Sequence, residues 1–385
     1  MDENITMDTN ILRPYLVIPK LIEQPTWGGT YIAETKTWQH RLELAGKKIG
    51  QSYELYDKSN LSLATTSDDP SFAGELADTK SVETQSSVPH SIPLSRVLGG
   101  QPMLLLLKFT QALGNSFQLH VPDGTIHSRW KAKPESWYYF EPGLITCGVK
   151  PGVWDAYRTA VMALEADIQR EAAAVGSGTK TYEQAKASID VLVKKYDPWQ
   201  YVNIVRVEKG TLIDLSPCGI HHSWEEDLAT IPLGNVLYEI QVNVMDDVAT
   251  LRSFDKGKMS KDGILRPLTI DEYFTYADRS PTANDPKTHM RQATLVRRTN
   301  QFTHERLLHS KYYTMDKVTI AAAGTSFTDT INTFRHLYVK TGSVVVTSGH
   351  ISVHASAGHS LFVPMGCRTY EARAKTSQTE LLISY

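Results

Sequence analysis

Read with a period of two, "SFQLH" (116–120) points Ser116, Gln118 and His120 to one face and Phe117 and Leu119 to the other. A strand on a hydrophobic core alternates apolar-in with water-out, but this polar face carries a hydroxyl, an amide oxygen and an imidazole in line. Glu135 opens the next strand-like run, "ESWYYF", after a short loop, and His222 follows the turn "SPCGIH" at the exit of a further strand. Two imidazoles, one carboxylate and one amide oxygen suit a borderline divalent ion such as zinc. They leave room for a water or a substrate oxygen, the open position that separates a catalytic metal site from a closed structural one. Taken singly, each residue reads more readily as a solvated or hydrogen-bonded strand residue, so the grouping rests on the four together.

The elements that would position them are mostly short strands. "LLLLKF", "SFQLH", "SWYYF", "VNIVRVE", "TLIDLS" and "NVLYEIQVNV" are rich in β-branched and aromatic residues and are separated by Gly, Pro and Asp turns. Without regular helices between them, they favour a sandwich or jelly-roll barrel over a parallel α/β sheet. One block differs. From Gly152 to Tyr196 apolar residues fall at helical spacing, first Val153, Tyr157, Ala160, Leu164 and Ile168, then Tyr182, Ala185, Ile189, Leu192 and Tyr196. The hinge "VGSGTKT" supplies two glycines and a threonine able to cap the second helix. A helical hairpin inserted into a β protein follows, with covering an open barrel end as its plainest role. The segment 65–95 is polar and turn-rich and reads as surface loops with one short helix at most. A second strand series runs from about Lys317 to Tyr385, in a style similar to the first.

The 385 residues carry a net charge of −2 with 21% charged side chains, an ordinary polar surface without the basic excess that nucleic-acid binding needs. Cys147, Cys218 and Cys367 are too far apart for a disulfide framework or a thiolate zinc knot, which suits a reducing compartment. No apolar run reaches the roughly 18 residues of a membrane span, and "MDENITMDTN" is acidic and polar, unlike a signal peptide. The expectation is a cytoplasmic protein without nucleic-acid or membrane partners, monomeric or homodimeric.

Seven pieces in order, "WGG" (27–29), "IGQSYEL" (49–55), "SFQLH" (116–120), "KPESWYY" (133–139), "SPCGIHH" (216–222), "YEIQVNV" (238–244) and "LRSFD" (251–255), resemble the class I mannose-6-phosphate isomerases. These are zinc-dependent enzymes of the cupin superfamily. The likeness covers about the first 260 residues; the last third is similar only in general style. It implies two cupin-type jelly-roll barrels and a helical hairpin domain. The catalytic metal-binding module would span 1–150 and 201–260, the helical insertion 151–200, and a module without metal ligands 261–385. The ligands of one Zn2+ per chain, or another divalent ion, fall on Gln118, His120, Glu135 and His222, the interval from Pro217 choosing His222 over His221. Ser116 matches a serine used at the substrate phosphate, and Lys133 the lysine beside the metal-binding glutamate. Arg252 matches the arginine that stabilises charge on the sugar. Glu239 falls on an acidic residue upstream of that arginine and Lys258 on a basic residue downstream. The reaction implied is interconversion of mannose 6-phosphate and fructose 6-phosphate by proton transfer through a cis-enediol.

The sequence departs from that pattern in places. Val121 separates His120 from Pro122, and the loop that follows holds His127, either an extra ligand or proton carrier or a solvated side chain. Gln51 and Tyr53 stand where the family has Glu and Trp. The interval from Glu239 to Arg252 is about three residues longer than usual, with Asp246 and Asp247 in the added turn. Cys367 and Arg368 stand where the second module would carry a His. A different sugar phosphate is therefore one alternative, and a bicupin that binds sugar or metal without turnover is another.

Overall fold

The computed structural model describes residues 12–78, 81–82, 84–114, 116–215 and 223–385. These are mostly strands, and they fall into two compact units.

The first unit comprises residues 12–111, Tyr238–Asn243 and Arg291–Tyr385. Its largest sheet has nine strands, in the order Thr294–Arg298, Phe302–His309, Thr314–Ile320, Thr379–Ser384, Arg335–Thr341, Ser360–Val363, Tyr15–Ile18, Asn60–Ser62 and Ser91–Pro93. A four-stranded sheet runs Ser326–Thr330, Thr369–Ala374, Ser343–Ser348 and Ile351–Ser356. Val344, Val346 and Ser348 alternate inward along one of its strands, the period of a half-buried sheet. The strand Tyr15–Ile18, "YLVI", is buried at every position because it is central. It pairs Leu16 with Leu361 on one side and with Ser62 on the other. This pairing joins Tyr15–Ile18 to a strand from the last third of the sequence. The polar segment 65–95 also holds more order than its composition suggests. Glu75–Ala77 pairs in parallel with Lys20–Glu23, and Ser91–Pro93 pairs with Asn60–Ser62.

This unit also buries two histidines, His336 at 0% and His359 at 3% exposure. Burial, reinforced by the charge of the fully buried Lys36, lowers both pKa values to about 3. Both rings therefore stay neutral in the fold while the unfolded chain takes up protons below about pH 6.5. Their contribution to stability is whole above that value and is lost as the pH falls toward 3. Each is expected to cost about 2 kcal/mol by pH 5, from about 1.4 kcal/mol per pH unit. Urea unfolding at pH 7, 6 and 5 checks this, and a midpoint constant across that range would contradict it.

The second unit comprises the described residues of Ala112–Leu237 and Val244–Met290. Phe117–His120 and Thr250–Phe254 form a two-stranded antiparallel ribbon. Glu135–Tyr139 pairs with Leu212–Asp214, placing Trp137 opposite Ile213. Gly143–Val149 lies between Val202–Val207 and Ser223–Trp224. Two helices, Trp154–Gly176 and Tyr182–Tyr196, occupy the block of helical periodicity. The second opens on a capping box. Thr181 Oγ1 accepts from the Gln184 amide, and Gln184 Oε1 accepts from the Thr181 amide. The second helix ends at Asp197 in the left-handed conformation, with Pro198 following to stop it. Tyr157, Val161, Leu164, Ile168 and Ile189 of these helices share one core with Phe117, Leu119, Leu251 and Phe254 of the ribbon. Tyr157 and Ser253 hydroxyls hydrogen-bond at 2.7 Å within it. The apolar face of the ribbon is thus backed by helices, which fixes the opposite face in place.

Candidate metal and sugar-phosphate site

The polar face of the ribbon is not wet. Ser116, Gln118 and His120 are exposed by only 0%, 9% and 2%. Across the ladder Thr250 lies opposite His120 and Arg252 opposite Gln118. Residues directly opposite in an antiparallel pair share a face, so the ribbon sets Gln118, His120, Thr250 and Arg252 on one side.

Two of the expected ligands meet there. His120 Nε2 is 3.3 Å from Glu135 Oε2. His120 Nδ1 lies 2.8 Å from the Ala249 carbonyl, which can only accept, so Nδ1 carries the proton. Nε2, the other ring nitrogen, then faces the Glu135 carboxylate oxygen, close enough for both atoms to turn to one cation. The far side of the carboxylate is taken, since Trp137 Nε1–H donates to Glu135 Oε1 at 2.6 Å. Lys133 Nζ stands 3.1 Å from Glu135 Oε2 and donates to Asp246 Oδ1 at 2.8 Å. This donor set fits a divalent ion. An imidazole with its other nitrogen fixed by a carbonyl, and a carboxylate with one oxygen fixed by a donor, are the usual supports of metal ligands. Gln118 Oε1 accepts from Ser116 Oγ at 3.2 Å. His222, like His221, lies outside the described residues. Among the described residues no three or more His, Cys, Asp and Glu side chains are grouped to hold an ion. Of the four expected ligands, those described supply one His, one carboxylate and the Gln118 amide. His120, Asp123 and Lys133 open onto a small recess with Val121, Pro134 and Leu215.

Arg252 is partly buried, and its Nε finds no hydrogen-bond partner among the described residues. Burial and then the neighbouring Arg266 lower its pKa, against the pull of Asp246 and Asp255. The carboxylates that could have paired with it are otherwise engaged: Asp255 Oδ2 accepts from Arg266 Nε at 2.7 Å, and Asp246 holds Lys133. Lys258 is exposed, and its Nζ lies 3.6 Å from Asp255 Oδ1. Glu239 belongs to the first unit, where its Oε1 is 2.8 Å from Lys108 Nζ. His127 is exposed and accepts the amides of Arg129 and Trp130 on Nδ1, the pattern of a turn cap.

Two contributors went unread in the sequence as parts of the site, and a third, Asp246, was read there only with Asp247 as a filler of the acidic turn before Arg252. Trp137 is two residues from Glu135 and so on its face, a period-two signal that was available. The Ala249 carbonyl is a backbone group and leaves no trace in residue type. Asp246 sits in a 3-10 turn, Asp246–Val248, and reaches a lysine 113 positions away.

Compared by sequence, the chain matches no protein-family model and no curated protein. Compared by structure, it matches the mannose 6-phosphate isomerase of Bacillus subtilis with a TM-score of 0.62, at 15% identity over 97% of this chain and 99% of that one. The fold is that of the mannose 6-phosphate isomerases. A second such isomerase, from Salmonella typhimurium and bound to fructose 6-phosphate and zinc, matches with a TM-score of 0.59, at 11% identity over 96% of this chain and 99% of that one. A zinc-bound holo form matches with the same TM-score, at 11% identity over 97% and 99%.

Proposed function

We propose that this chain is a metal-dependent aldose–ketose isomerase that interconverts mannose 6-phosphate and fructose 6-phosphate. The observation that carries the reading is the pair His120–Glu135. Each is locked by a second group so that His120 Nε2 and Glu135 Oε2 face each other at 3.3 Å. The fold supports it, since one solved example binds zinc together with fructose 6-phosphate. In this proposal Gln118, His120, Glu135 and His222 hold the ion, in a cupin-type barrel, and the C-terminal module holds none. A divalent ion bound there would polarise the sugar carbonyl and acidify the neighbouring C–H bond.

The protein's own groups do the rest. Moving the carbonyl between C1 and C2 takes a proton from one carbon and returns it to the other, leaving negative charge on a cis-enediol(ate) between the two events. Arg252, poorly satisfied and drawn partly out of water, is suited to stabilise that charge. Glu239 enters as proton carrier on the sequence resemblance alone. Ser116, Lys133 and Lys258 provide the hydroxyl and the cations for the phosphate end, whose binding energy orients the sugar. Lys133 reaches a phosphate by exchanging one partner, because Asp246 is 61% exposed and easily displaced. Lys133→Ala and Ser116→Ala are therefore expected to raise KM for the phosphorylated sugar. Free mannose should be a poor substrate for every form, and equal turnover of mannose and mannose 6-phosphate would remove the phosphate assignment.

The test of the reaction is incubation of the purified, zinc-supplied chain with fructose 6-phosphate, followed by NMR. Growth of mannose 6-phosphate signals is the expected result. A different aldose 6-phosphate would reassign the substrate, and no aldose at all would reject the isomerase.

A further inference from the structure

Trp137 is fully buried on the Glu135–Tyr139 strand, two residues from Glu135 and therefore on the same face. Its indole N–H donates to Glu135 Oε1 at 2.6 Å, the short distance of a charge-assisted bond. Oε2, the other oxygen, is the one that lies near His120 and Lys133. Packing alone would be served by phenylalanine. A buried indole needs an acceptor, but here the acceptor is the one carboxylate of the candidate metal site. The partner ligand is held in the complementary way, since the Ala249 carbonyl accepts from His120 Nδ1. A donor on Oε1 and an acceptor on Nδ1 together leave Glu135 Oε2 and His120 Nε2 as the atoms that face each other, with Lys133 beside Oε2.

We infer that Trp137 is a positioning residue of the metal centre: its N–H occupies Glu135 Oε1 and commits the glutamate to offering a single oxygen, Oε2. The strand partner Leu212–Asp214 helps hold the indole, because Trp137 sits opposite Ile213 in the ladder. The inference rests on the metal reading above.

The test is zinc affinity of the metal-stripped full-length chain, measured by competition with a chromophoric chelator. Trp137→Phe keeps an aromatic ring in the core and removes the donor, along with part of the indole's volume. It is expected to bind zinc 10–100-fold more weakly than wild type, the usual cost of losing a ligand's support, with unchanged stoichiometry. Its unfolding midpoint without metal should fall somewhat, because Oε1 loses its buried donor, and the affinity is read on protein shown to be folded. Equal affinities would overturn the positioning role and leave the metal reading standing. A wild-type chain that binds no zinc would overturn both. Should the variant fail to fold, the wild-type chain carries the test. The Trp137 indole proton, identified by selective labelling, should shift on zinc titration and stop shifting at one equivalent, whereas a resonance unmoved by bound zinc would contradict the inference.

Discussion

His120→Ala is expected to abolish metal binding and isomerisation together. The residue is almost wholly buried, its Nδ1 is held by Ala249, and its Nε2 faces Glu135 Oε2. Alanine removes one ligand outright and leaves the Ala249 carbonyl without its donor, an unsatisfied group worth about 1–3 kcal/mol. Loss of the ligand should exceed the 10–100-fold penalty of losing a supporting contact, so the purified variant should carry no stoichiometric zinc. His127→Ala is the control, because that ring is exposed, caps a turn and stacks on Trp130. Metal content and initial rate, measured on the same preparation, decide the matter. A His120→Ala protein that retains both zinc and turnover would remove His120 from the site.

Arg252→Ala should leave the metal in place and lower kcat by about 10²–10³, the size seen on losing one preorganised donor to a developing negative charge. KM should change little, because ground-state binding rests on the ligands and the phosphate groups. Lysine should rescue only in part, lacking the planar fork that can span two oxygens. The plainer alternative, a strand arginine paired with Asp255 or Asp246, fits poorly with those carboxylates already holding Arg266 and Lys133. Were it correct, the variant would lose a little stability and keep its rate on every hexose phosphate tried.

Parts of this arrangement are written locally and parts are not. The polar stripe Ser116, Gln118, His120 and the apolar stripe Phe117, Leu119 follow from the period of a strand, as do the two helices over 154–196 from theirs. Alternation tells which way a side chain points but not which distant strand lies beside it. The ribbon partner of Phe117–His120 comes from Thr250–Phe254, and the partner of Tyr15–Ile18 from Ser360–Val363, separations no local pattern encodes. The extra turn before Arg252 drew notice in the sequence as a departure. The structure shows what it does here: Asp246 engages Lys133, and the Ala249 carbonyl just after it orients His120. Backbone groups of this kind are invisible in residue types, because every residue carries the same carbonyl.

The central claim is that this chain isomerises a sugar phosphate with a metal held at His120 and Glu135. Its most direct test is a coupled assay following fructose 6-phosphate from mannose 6-phosphate, run on protein stripped of metal and again after one equivalent of zinc. The account predicts no turnover in the stripped protein and its recovery on zinc addition, saturating near one ion per chain. Full activity in the stripped protein, or none at any zinc level, would contradict it.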